Sequence, residues 1–216
     1  MRARPLLLVA LLAAGGPAAA APRGAPEDDG IVFAVRGGYG IPFGDVSKGE
    51  PLPDLVDAKL PLWLEIGYRF TAHFRTALYF ELAPMSLVAC PPGAACSAFD
   101  VRAGLSLQLH PWPRSWLDPW LGAGFGVEHL QATAPPSKGA PDAWELSWDG
   151  LEVPVEAGLD FAITDFLTIG PYANATFAQF TSASARPPGG SSTSGAVHDR
   201  ATHGWLQAGL KLTLKL

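Results

Sequence analysis

After its N-terminal segment, the 216-residue sequence lacks any uncharged apolar run of the roughly 18 residues that a membrane-spanning helix needs. Charged residues are also scarce, at 16%, although 48% of the residues are hydrophobic. The apolar residues are spread thinly along the chain instead of gathering in blocks. The sequence therefore excludes a helical membrane protein, and its length fits one domain or at most two.

Cysteine is nearly absent, and the CxxC spacing of redox or zinc sites does not occur. The two cysteines, Cys90 and Cys96, enclose a short segment rich in proline and glycine. In an oxidising compartment this pattern is typical of a structural disulfide. No lipid-attachment cysteine stands directly after the N-terminal apolar run, so we do not expect a lipid-attached protein.

The N-terminus has the pattern of a secretory signal peptide, with Arg2 and Arg4, an apolar run over 6–12, and small residues over 18–21. Cleavage is expected after Ala20, with the neighbouring alanines as alternatives, and residues 21–29 then form a short linker. Removing residues 1–20 would take away two arginines and no acid, which changes the formal net charge from -5 to -7. An acidic exported protein is a poor candidate for binding nucleic acid.

From Ile31 onward, apolar and polar residues alternate with period two, and this pattern recurs eight times. The fourth run is typical, with Leu105 and Leu107 on one face and Ser106 and Gln108 on the other. The seventh run is the weakest because Pro171 interrupts it. Each run predicts a strand with one apolar and one polar face.

The connections between the runs alternate between long and short. The long ones span residues 42–60, 84–98, 130–150 and 181–203, and the short ones span 71–73, 111–118 and 164–165. Transmembrane barrels have short periplasmic turns and long outside loops. The sequence therefore predicts an all-β domain over residues 30–216, an eight-stranded antiparallel transmembrane up-and-down β-barrel.

Alternation alone does not distinguish a membrane barrel from a soluble lipocalin-like barrel, whose apolar face points inward. The composition of the polar face favours the membrane barrel, because nearly balanced charges interleaved with glycines suit a narrow lumen. The predicted lumen charge network consists of Arg36, Glu65, Arg69, Arg75, Glu81, Asp100, Arg102, Glu128, Glu152, Glu156, Asp160, Lys211 and Lys215. Aromatic residues cluster beside the short connections, as they do at membrane interfaces.

These features resemble the small outer-membrane barrel superfamily that includes the OmpA transmembrane domain, OmpX and OmpW. The most specific element is the last strand, which is similar to that superfamily's assembly signal through Leu210, Leu212, Leu214 and Leu216. Leu216 stands where a terminal aromatic residue is usual. The resemblance implies a monomer in the outer membrane of a Gram-negative bacterium, with outer-membrane lipid and the barrel-assembly machinery as partners.

No catalytic, cofactor-binding or metal-binding residues are predicted. The segment Gly122–Gly126 has GxGxG spacing without a following helical pattern, so small residues facing a crowded lumen explain it better than a nucleotide site. The five histidines are scattered and are expected at solvated positions. Ser184, Ser191, Ser192 and Ser194 lie near His198 only in sequence, in a glycine- and serine-rich segment.

The sequence favours a non-enzymatic outer-membrane barrel with a structural or surface-interaction role. A narrow porin-like channel or lateral conduit for small solutes is the first alternative, and a lipid-modifying enzyme is the second. The sequence alone does not separate them. Because the apolar face is expected to point outward into the membrane, arginine at Leu105 should impair insertion, whereas arginine at Ser106 on the inward face should be tolerated better.

Overall fold

The computed structural model describes residues 29–88, 90, 96–113, 115–134 and 144–216. The predicted signal peptide, and all of the predicted linker except Asp29, lie outside these residues. The helix α1 (Leu52–Leu55) is a single short turn, and no helical segment in the described ranges has the length and hydropathy to span a membrane.

The described chain is almost entirely antiparallel sheet. Its elements are β1 (Gly30–Ser47), β2 (Glu50–Pro51), α1 (Leu52–Leu55), β3 (Val56–Lys59), β4 (Leu62–Thr71), β5 (Phe74–Leu87), β6 (Ser97–Leu109), β7 (Leu117–Ala134), β8 (Trp144–Ala162), β9 (Leu167–Arg186), β10 (Thr193–Ala196) and β11 (His203–Lys215).

Neighbouring strands pair in order, and the sheet closes into a barrel where β11 pairs with β1 from Val32 opposite Lys215 to Gly44 opposite His203. Strands β3 and β4 together form one wall of the barrel, β2 pairs only with β1, and β10 pairs only with β9. The predicted eight-stranded antiparallel barrel is confirmed. Closure pairs the backbone groups that would otherwise form sheet edges.

Several strands extend well into the segments that the sequence analysis assigned to long connections. Strand β1 continues to Ser47, β7 reaches Ala134, β8 begins at Trp144 and β9 reaches Arg186. The predicted bounds were wrong because the outward apolar residues stop before the backbone pairing does. The doubtful seventh run is the longest strand, and Pro171 lies within it opposite Leu210.

The two ends of the barrel differ. One end, called here the short-connection end, carries the turns around residues 72–73, 110–113 with 115–116, and 163–166; the other is the long-connection end. The outward face exposes apolar side chains, such as Leu105 at 48% and Phe125 at 58%, while the inward Ser106 and Glu128 are at most 1% exposed. Along the barrel the apolar residues thus face outward and the charged residues face inward.

Candidate functional site

The interior of the barrel, called here the lumen, holds all thirteen residues of the predicted charge network on inward-facing positions. Eleven are buried, and Arg69 and Lys215 are half-buried near the short-connection end. The predicted terminal-strand leucines point the other way, with Leu210 59% exposed and Leu212 44% exposed. The alternation of the strands separates these two sets of side chains.

Arg36 occupies the middle of the lumen. Its guanidinium forms ion pairs with Glu65 on β4 and Glu156 on β8, and Glu65 also accepts a hydrogen bond from Arg75 at 2.6 Å. The rings of Trp63, Trp120 and Tyr172 surround the same guanidinium, with centroids 5.0, 5.1 and 5.3 Å from its carbon. Arg36 thus links opposite walls of the barrel.

Arg102 on β6 forms the next layer toward the long-connection end. It pairs with Glu152, and its Nη1 lies 3.2 Å from Glu81 Oε2. The Tyr79 hydroxyl donates to Glu152 at 2.6 Å. A Cβ at Gly126 would overlap that hydroxyl, so the glycine makes room for the network. The GxGxG segment therefore lines a crowded lumen, as the sequence predicted.

Lys59 belongs to this network although the sequence analysis placed it in a connection. Its ammonium lies 2.6 Å from both Glu81 Oε1 and Asp100 Oδ2, and the Trp205 ring centroid lies 4.3 Å away. Lys59 ends the short strand β3, which bears no run of alternating residues long enough to reveal its facing. Only the excess of inward acids over bases in the sequence pointed to a missing cation.

Two histidines are buried, which corrects the expectation that histidines lie at solvated positions. His203 Nε2 lies 2.9 Å from Glu128 Oε2, and Trp205 donates to the other oxygen of Glu128 at 2.8 Å. His110 Nδ1 lies 2.9 Å from Asp118 Oδ2 in a short connection. Burial lowers the pKa of His110, although its hydrogen bond with Asp118 acts in the opposite direction.

Toward the short-connection end, the lumen contains a further ion pair. Lys211 Nζ lies 3.3 Å from Asp160 Oδ2, and Trp120 donates to the other oxygen of Asp160 at 3.1 Å. Arg69 Nη2 lies 3.9 Å from Asp118 Oδ2. Solvent reaches this end, since the side chains of Arg69 and Asp118 are 12% and 9% exposed.

An apolar cluster closes the long-connection end of the lumen. Leu52 of α1 and Val56 of β3 pack there with Leu130, Phe180 and Trp205 from the barrel wall. All five side chains are fully buried. Together with the ion-pair layers beneath it, this cluster blocks the lumen axis within the described part of the barrel.

The described residues do not assemble an evident catalytic or metal centre. They contain no group of three or more potential metal ligands. His129 Nδ1 lies 2.6 Å from Asp149, but Ser182 donates to Asp149 rather than to that histidine. Ser184 pairs with Ser147. Cys90 and Cys96 form the expected disulfide in the second long connection.

No family model and no curated protein sequence matches the chain. A major outer membrane protein from Thermus thermophilus matches its fold at 12% identity and a TM-score of 0.55, over 86% of this chain and 99% of that one. The chain has the fold of the small outer-membrane β-barrels.

Two further solved structures are similar to this chain in fold. The outer membrane protein OprG from Pseudomonas aeruginosa is 14% identical, with a TM-score of 0.54 over 87% of this chain and 97% of that one. The outer membrane protein AlkL, solved by solid-state NMR in DMPC lipid bilayers, is 16% identical, with a TM-score of 0.50 over 93% and 98%. At these identities the likeness concerns the fold, and the predicted resemblance is confirmed at that level.

Proposed function

We propose that the chain is an integral outer-membrane β-barrel protein of a Gram-negative bacterium, with a structural or surface-interaction role and no enzymatic activity. The observation that carries the proposal is that apolar side chains cover the outside of the barrel while charged side chains fill its inside. Side chains such as Leu105 and Phe125 are exposed outward, while the ion pairs of Arg36 and Arg102 are fully buried inside. A protein in water would gain free energy from the reverse arrangement.

The position of the aromatic residues supports a membrane orientation. Phe70, Phe74, Trp112, Trp116 and Phe166 are all at least 40% exposed at the short-connection end. Aromatic side chains prefer the membrane–water interface, and short turns face the periplasm in bacterial barrels. The long-connection end then lies outside the cell, where its long strands would make the surface contacts.

The charge network and the apolar cluster support a structural role over a solute channel. An eight-stranded barrel has an interior just wide enough for side chains to fill. Here those side chains pair with one another across the lumen, as Arg36 does with Glu65 and Glu156. The lipid-modifying alternative gains no support from Ser182 or Ser184, because neither donates to a histidine.

The signal peptide over residues 1–20, the monomeric state and insertion by the barrel-assembly machinery belong to the same proposal. The outward leucines of β11 lie exposed on the last strand, which supports their proposed role as an assembly signal. Outer-membrane lipid is the partner that the apolar outer face requires.

Electrophoresis of isolated outer membranes tests this proposal. The unboiled protein should migrate differently in SDS from the boiled protein, because a closed barrel resists the detergent until it is heated. The soluble periplasmic fraction of the same cells is the control and should lack the protein. Recovery of the protein in that fraction, without a mobility shift, would overturn the membrane placement.

A further inference from the structure

Several side chains at the short-connection end of the lumen have polar or charged atoms without a partner among the described residues. They define what we call the lower vestibule: Arg75, Gln108, Thr168, Thr213 and Lys215, all within three residues of the ends of their strands. Arg75 uses Nη2 for Glu65, but its Nε and Nη1 have no partner; the amide of Gln108 and the hydroxyls of both threonines have none either. These four side chains are at most 3% exposed.

Buried polar groups are normally satisfied by protein groups or ordered water, so this group of donors is available to a small polar occupant. The strand register places Arg75 beside Gln108 and Thr168 beside Thr213. The two pairs lie on opposite walls, and in so narrow a barrel their side chains face the same space.

Lys215 adds an unpaired positive charge to the same space. Among the described residues, no carboxylate lies within ion-pair distance of its ammonium, and it is half-buried. Asp118 and Asp160 are acids that share this end of the lumen with it. Those two acids already bond to His110 and to Lys211.

Charge is distributed unequally along the lumen. Near the short-connection end, the cations Arg69, Arg75, Lys211 and Lys215 outnumber the acids Glu65, Asp118 and Asp160. Near the long-connection end, the acids Glu81, Asp100, Glu128 and Glu152 outnumber the cations Lys59 and Arg102. An anion entering from the short-connection end, where Arg69 and Asp118 reach solvent, would thus meet excess positive charge first and repulsion deeper in.

We propose that the lower vestibule binds a small oxyanion of the phosphate type, which enters from the short-connection end. Guanidinium, ammonium, amide and hydroxyl donors are the groups that bind phosphoryl oxygens. The site is blind, because the ion-pair layers and the apolar cluster close the other end. This inference is independent of any surface role of the barrel.

Isothermal titration of the folded barrel with inorganic phosphate, in a nonionic detergent that lacks phosphate, tests the proposal. We expect one site, weakened about tenfold or more by Lys215→Gln, because charge-assisted hydrogen bonds are the strong ones. Thr213→Val removes one unpartnered hydroxyl and should weaken binding a few-fold. Lys48→Gln, which removes an exposed lysine at the far end, is the matched control and should bind like the wild type.

A heat-dependent shift in electrophoretic mobility confirms that each variant is folded. If Lys215→Gln does not fold, phosphate titration of Thr213→Val still tests the proposal. Doping the micelles with phosphatidylglycerol identifies the source of the oxyanion. If phosphatidylglycerol competes with phosphate, the site binds a lipid headgroup. If it does not compete, the site binds a free solute. Absence of phosphate binding by the wild type, or equal affinity of both vestibule variants and the wild type, would overturn the proposal.

Discussion

Arg102 lies at the centre of a large group of buried partners. It contacts Glu152, Glu81 and the Thr176 hydroxyl, and its side chain is fully buried. Replacing Arg102 with methionine would leave Glu152 without its cationic partner and would remove one of the two cations that pair with Glu81, the other being Lys59. We expect a loss of about 3–5 kcal/mol in the free energy of unfolding, measured by urea titration of the reconstituted barrel.

Arg186→Met is the matched control for that substitution. Arg186 pairs with Glu145 at 3.4 Å, but the two side chains are 58% and 39% exposed. Because solvent screens such a pair, the expected loss is less than about 1 kcal/mol. Equal losses for Arg102→Met and Arg186→Met would contradict a buried, energetically coupled network.

At this scale, the sequence allowed the inward charges to be predicted wherever period-two alternation was long enough to define a face. Glu152, Glu156 and Asp160 on one clean strand are examples. Lys59, His110 and His203 were missed because they lie in short segments or next to turns, where alternation gives no facing. The partner of each charge could not be predicted, because pairing across the lumen depends on the stagger of the closed barrel.

The outward face of β6 provides a test at the level of the strand. Leu105 is 48% exposed, and its neighbour Ser106 is fully buried. Arginine at Leu105 would enter the hydrocarbon region and should cost about 2–4 kcal/mol, whereas arginine at Ser106 would enter the polar lumen and should cost less. The folded fraction of each variant in lipid vesicles, read from its electrophoretic mobility, measures the two costs. Equal folding of the two variants would contradict the outward orientation of Leu105.

Helix α1 and the apolar cluster offer a second test at this level. Leu52 is fully buried within the cluster, so Leu52→Ala should lower the free energy of unfolding by about 2–5 kcal/mol. The same change at Leu60, which is 59% exposed, should cost much less. Chemical denaturation measures both losses, and a negligible effect at Leu52 would show that the cluster does not stabilise the long-connection end.

The strands were predictable where one face had to be apolar, and less so beyond that region. Gln131 lies opposite Ser147 where β7 pairs with β8, and its side chain donates to Glu145 at 2.9 Å. Here the backbone ladder continues although the apolar residues no longer face outward, since Leu130 and Ala132 on β7 are buried. The same reasoning explains why helix α1, with four residues, gave no helical period.

At the scale of the whole molecule, the barrel combines an apolar exterior with an interior whose charges nearly balance. The pairing of the first strand, β1, with the last, β11, closes the barrel. Inward side chains from opposite walls can then meet. The interior therefore acts as the polar counterpart of a hydrophobic core, held by ion pairs instead of apolar packing. A balanced network of this kind stabilises one register, because a shift by one residue would turn every charge outward.

This arrangement predicts that the wild-type barrel does not conduct ions. The apolar cluster around Leu52 and Trp205 blocks the long-connection end, and the Arg102 and Arg36 layers fill the lumen beneath it. In planar bilayers we expect no discrete conductance steps. Leu52→Ala should also remain silent, because the ion-pair layers persist when the cluster is weakened. Incorporation is verified by heat-modifiability of vesicles from the same preparation. Reproducible steps with the folded wild type would contradict the closed lumen and favour the narrow channel.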